Sequence, residues 1–98
     1  MRTLITVSIP VEAGNAAIRN NSISTVVDKF VADHKPEASY FLADDQGNRS
    51  CLFVVDMKDT SYIPVMAEPF FLNFNAQVKF RPVMNPDDLR SAFSKLKI

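Results

Sequence analysis

The sequence predicts a single α+β domain spanning residues 1–98. Four short β-type runs, the last with a period of two, are separated by segments whose apolar residues recur at three- and four-residue intervals, while 98 residues suffice for one core only. Leu4 to Ile9 is a β-branched run closed by Pro10, which cannot donate to a ladder, and reads as the first strand. From Gly14 to Asp33, Ala17, Ile18, Ile23, Val26, Val27, Phe30 and Val31 form a helical stripe interrupted at Asn20, Asn21 and Ser22. One kinked helix or two collinear pieces is expected, ending at His34-Lys35-Pro36. Glu37 to Ala43 and Arg49 to Asp56 are strands two and three, joined by a hairpin loop in which Gly47 and Asn48 tolerate positive φ. Asp59, Thr60 and Ser61 offer N-caps for a second helix carrying Ile63, Val65, Met66, Phe70 and Phe71. Pro69 should kink or split that helix, because it has no N–H for the carbonyl of Val65. Ala76 to Val83 alternates as a half-buried fourth strand. Asn85-Pro86-Asp87-Asp88 then caps a last helix to about Leu96, with Leu89, Ala92, Phe93 and Leu96 as its stripe.

The resulting β-α-β-β-α-β order plus a C-terminal helix is that of a ferredoxin-like antiparallel sheet, strands four, one, three, two across, with both crossover helices on one face. Strand three is apolar on both sides: Cys51, Phe53 and Val55 alternate with Leu52 and Val54. A lone copy would leave one side as a hydrophobic patch of the kind that marks a partner or ligand surface. Two sheets stacked face to face in a two-fold homodimer remove it from water.

Charge and motifs exclude several function classes. Eleven Lys and Arg balance eleven Asp and Glu, so no net field gathers a polyanion. The same element order occurs in RNA-binding RRM domains, but Arg49 to Asp56 has Ser50 in place of glycine, and Cys51 and Asp56 where base-stacking rings belong. Two glycines, Gly14 and Gly47, cannot build a phosphate loop or a dinucleotide fingerprint, and no nucleotide cofactor is expected. One Cys and one His cannot make a structural zinc site, so no metal is expected either. The N-terminal apolar run is too short for a signal h-region, and nothing approaches a membrane span. An unpaired thiol fits a reducing, cytoplasmic home.

Few residues suggest chemistry. Lys79 and Arg81, two apart on strand four, share a face and could hold a carboxylate or phenolate together with Thr6 and Ser8 of the neighbouring strand. As edge-strand cations, the same pair also discourages unwanted strand pairing. His34 has the ordinary pKa of an acid/base group, although its place at a helix end suits bonding to helix carbonyls. Tyr40 and Glu68 are the other candidates for proton transfer. Cys51 reads as a buried thiol with a raised pKa. Asn73 and Asn75 suit a helix end, and Phe70, Phe71 and Phe74 suit a core.

The segments Ile9 to Asn15, His34 to Ala38 and, above all, Ile63 to Phe71 continuing to Arg81-Pro82-Val83-Met84 resemble a family of short bacterial proteins of unknown function, similar to the dimeric α+β barrel superfamily. The resemblance covers most of the chain. It implies a ferredoxin-like fold and a homodimer, and it brings no catalytic residues. Some members carry a pantothenate synthetase label; that enzyme's paired motif histidines have no counterpart beside the single His34. The wider superfamily includes cofactor-independent monooxygenases, lactone isomerases and haem-degrading enzymes. The expectation is a homodimeric domain that binds a small, partly apolar ligand, anionic where Lys79 and Arg81 meet it. The alternatives are a cofactor-independent isomerase or monooxygenase-like enzyme and a non-catalytic structural or assembly module.

Overall fold

A computed structural model describes all 98 residues. Its elements are β1 (Arg2–Ile9), α1 (Val11–Arg19), α2 (Ser22–His34), β2 (Ala38–Ala43), β3 (Arg49–Asp56), α3 (Tyr62–Phe74), β4 (Gln77–Pro82) and α4 (Pro86–Lys95). The fold is therefore α+β, with four strands in one sheet ordered β2-β3-β1-β4 and antiparallel at every neighbouring pair.

Strand alternation places the core. Thr3, Ile5, Val7 and Ile9 of β1 and Cys51, Phe53 and Val55 of β3 point to one side and are buried. The register sets Ile5 opposite Phe53 and Val7 opposite Cys51. Onto this face pack Ala17 of α1, Phe30 of α2, and Met66, Phe70 and Phe74 of α3. Phe53 is the hub, its ring centre 4.4 Å from that of Phe30, 6.0 Å from Phe70 and 6.1 Å from Phe41.

The first helical segment is two helices rather than one. Asn21 adopts the left-handed conformation (φ 62°), and the Asn20 side chain accepts the Ser22 N–H at 2.9 Å, so the chain turns between α1 and α2. Helix α1 also starts earlier than the apolar periodicity suggests, at Val11 directly after Pro10. Arg49 anchors it: its guanidinium lies against Gly14 and donates to Asn15 Oδ1 at 3.0 Å.

Pro69 neither splits α3 nor ends it; the helix runs on to Phe74. The proline costs about 3 kcal/mol in a helix interior. Met66, Phe70 and Phe74, four apart and buried in one line, outweigh that cost through tertiary packing. Asn73 Nδ2 donates to the Pro69 carbonyl at 2.7 Å, and Asn75 closes the helix in the left-handed conformation (φ 50°).

In the β2–β3 hairpin, Asp44 accepts the N–H of Gln46 and of Asn48, and Gly47 takes φ 78°. Helix α4 begins with a reciprocal capping box: Asn85 Oδ1 accepts the Asp88 N–H at 2.8 Å, and Asp88 Oδ2 accepts the Asn85 N–H at 3.0 Å. None of its side chains is buried.

Candidate functional site

Helices α1, α2 and α3 cover one face of the sheet; the side chains of the other face form rows read from the register, three of them behind an end row of Arg2 and Asp56. Tyr40, Leu52, Thr6 and Lys79 lie in the first row, and Ala38, Val54, Leu4 and Arg81 in the second. Leu42, Ser50, Ser8 and Gln77 make the third. The face thus grades from apolar at β2 and β3 to polar at β4. Leu4, Leu52 and Val54 are half-buried, while Tyr40 is 65% exposed and Leu42 is 45% exposed.

Three of the four expected ligand-binding residues come together at the polar end. Thr6, Ser8 and Lys79, joined by Asp44, Gln46, Ser50 and Gln77, line a small cavity of about 120 Å³. Arg81 lies outside it, beside Leu4 in the next row. Asp44 is the residue that reading along the chain misses. It sits in the hairpin loop, and only the pairing of β2, β3 and β1 carries it to Ser8, whose hydroxyl donates to Asp44 Oδ2 at 2.7 Å. That bond, the N–H groups of Asn48 and Gln46 and the nearby Lys79 charge hold the Asp44 carboxyl below its ordinary range. The carboxylate also answers part of the Lys79 charge. Neither Lys79 nor Arg81 forms an ion pair within the chain, and of the two it is Lys79 whose charge acts on Asp44.

A larger concavity lies on the opposite side of the molecule. Helices α2 and α3 flank a groove of about 640 Å³, within the range that holds drug-sized ligands. Its apolar lining includes Val26, Phe30, Val65 and Leu72; its polar lining includes Lys29, Asp33, His34 and Glu68. His34 and Glu68 thus share one groove. Tyr40 does not join them, because it projects from the other side of the sheet. His34 makes no hydrogen bond to the helix carbonyls that its place at the helix end suggests. Its ring packs on Phe30 instead, 4.8 Å between centroids, and the left-handed Lys35 caps the helix through its own N–H to the Val31 carbonyl. Partial burial pushes the His34 pKa down, opposed by the Asp33 charge and reinforced by Lys29. Lys29 and Asp33 pair at 2.9 Å, one turn apart, which lowers the Asp33 pKa. An imidazole and a carboxyl group lining one groove are side chains of the kind that transfer protons, although no hydrogen bond joins His34 to Glu68 directly.

Cys51 is buried on the helix side of β3, and desolvation pushes its pKa up to about 11, so it is a structural thiol. No group of three or more His, Cys, Asp or Glu is placed to hold a metal ion. No helix is long and apolar enough to cross a membrane. Phe70 and Phe74 are core, whereas Phe71 is 41% exposed. Comparison with family models, with curated proteins and with solved structures finds no match.

Proposed function

We propose that the chain is a ferredoxin-like domain that pairs face to face as a dimeric α+β barrel and binds a small, partly apolar molecule between its two sheets. The strand order, which read from β4 runs four, one, three, two, supports the ferredoxin-like reading. The observation that carries the proposal is the helix-free face itself: Leu4, Tyr40, Leu42, Leu52 and Val54 form one apolar surface bordered by Gln77, Lys79 and Arg81. Apolar side chains with a few convergent polar groups make the lining of a ligand pocket, and a second sheet supplies the missing wall. Arg81, with Lys79 two residues away, selects a ligand that carries a carboxylate or phenolate.

Native mass spectrometry of freshly purified protein tests this directly. A dimer that retains a small molecule, and loses it on Arg81→Ala, is the expected result. A monomer refutes the proposal, and a dimer that never retains or takes up a small acid reduces it to an assembly module.

One observation favours a second reading, a cofactor-independent isomerase or oxygenase. His34 and Glu68 line the same groove between α2 and α3 and could move a proton on a substrate bound there. In that case His34→Gln and Glu68→Gln abolish turnover while Arg81→Ala leaves it intact.

A further inference from the structure

We infer that α4 is an arm that docks on a second copy of this chain, over the β2 edge of its sheet; the inference rests on the dimer proposed above and fixes how its two sheets are oriented. Helix α4 has ten residues and buries none of them. Leu89, Phe93 and Leu96 are 42%, 59% and 55% exposed along one stripe. Helices shorter than about 12 residues are marginal in water, so the apolar stripe needs a surface to lie on. Its own body covers only the start of that stripe: Arg2 of β1 holds the first turn through Asp88 at 3.0 Å and Leu89 is the least exposed of the three, while the radius of gyration, 15.5 Å against about 13 Å for a compact chain of this length, and the longest extent of 55 Å fit a projecting element.

A matching surface exists on the opposite edge. Tyr40, Phe41 and Leu42 of β2 are exposed in succession, so both faces of that edge strand are apolar. On its helix side Phe41 borders a groove of about 260 Å³ lined also by Ile23, Val27 and Cys51, large enough for one aromatic ring.

Charge selects the orientation that brings the two together. Stacked sheets can be related by a two-fold axis across the strands or along them. An axis across the strands sets β4 over its own copy with the rows reversed, which puts cation against cation, Lys79 against Lys79 or Lys79 against Arg81. An axis along the strands sets β4 over the partner's β2, and since rotation about it preserves rows, Lys79 meets the ring of Tyr40, a cation–π pair. Only Val83, Met84 and Asn85 separate β4 from α4, so the same rotation delivers the arm to the partner's β2 edge.

Area points the same way. Two strands of eight residues and two of six give a face of about 450 Å² in plan. A standard interface buries about 800 Å² on each partner. Helix α4, about 15 Å long, contributes to the remainder.

Sedimentation equilibrium and amide exchange on the full-length chain test the arm. The expected result is a dimer in which Phe93→Asp weakens association roughly tenfold or more without altering the circular dichroism of the sheet. The α4 amides should be protected in the dimer and lose protection on dilution to monomer. A dimer whose affinity ignores Phe93→Asp, or α4 amides protected equally in monomer and dimer, overturns the arm and leaves the proposed dimer standing. A monomer at all concentrations overturns both. The orientation is read on a Cys51→Ala background with a short bismaleimide. Tyr40→Cys chains mixed with Lys79→Cys chains should cross-link as heterodimers, and Lys79→Cys chains cross-linking to themselves instead would overturn it.

Discussion

Phe53→Ala measures what holds this fold together. The ring is fully buried on β3, with Phe30 and Phe70 on the helices above it and the edge of Phe41 beside it. Truncating a buried phenylalanine removes its transfer free energy and leaves a cavity, at a cost of about 3–5 kcal/mol. A chain of this length has a total stability of about 5–15 kcal/mol, so this one change removes a fifth or more of it. Phe41→Ala is the matched comparison. It deletes a ring that also touches Phe53, at 84° and 6.1 Å, but is 59% exposed. It should cost about 1 kcal/mol, the worth of an aromatic pair without much burial. Urea unfolding, followed by far-UV circular dichroism at a concentration where the protein is monomeric, reads both. At a slope of about 1.5 kcal/mol/M, the Phe53→Ala midpoint falls by about 2–3 M with the slope unchanged. If the two variants lose equal stability, or Phe53→Ala loses under about 1.5 kcal/mol, burial at the sheet–helix interface is not what chiefly stabilises the fold.

Acid should destabilise the protein in two steps, both in the same direction. Partial burial lowers the folded pKa of His34, so its contribution is complete above the unfolded value near 6.5 and fades as pH falls through the folded value. Hydrogen bonds lower those of Asp33, Asp44, Asp56 and Asp59, whose contributions are complete above about 4 and fade as pH falls further. The urea midpoint against pH should show both steps, and His34→Gln should erase the upper one alone. Cys51, with its pKa raised to about 11, should resist iodoacetamide at neutral pH until urea unfolds the chain. Rapid alkylation of the native protein would contradict its burial.

The element types are legible in the sequence because they depend on local patterns. A β-branched run closed by Pro10 marks β1, a run apolar on both sides marks β3 and period-two alternation marks β4, while Asn85, Pro86, Asp87 and Asp88 mark the start of α4 by their order, where the structure adds the reciprocal capping box. Pro69 departs from its sequence expectation for a physical reason: the cost of a helical proline is local, but the burial of Met66, Phe70 and Phe74 that offsets it comes from other elements. The candidate site is legible only in part. Strand periodicity puts Thr6, Ser8 and Lys79 on one face, yet Asp44 reaches them through a hairpin, and the shared groove of His34 and Glu68 exists only once α2 lies beside α3.

By itself, then, the order of residues determined which segments are strands and helices and that β3 is apolar on both sides, since those follow from side-chain spacing along one element. Tertiary structure alone decided which groups meet: strand pairing and helix packing set distances between residues far apart in the chain, and no spacing rule encodes those. The same division explains α4, whose cap and stripe are local, and whose largely exposed stripe appears only when the rest of the chain is folded around its core.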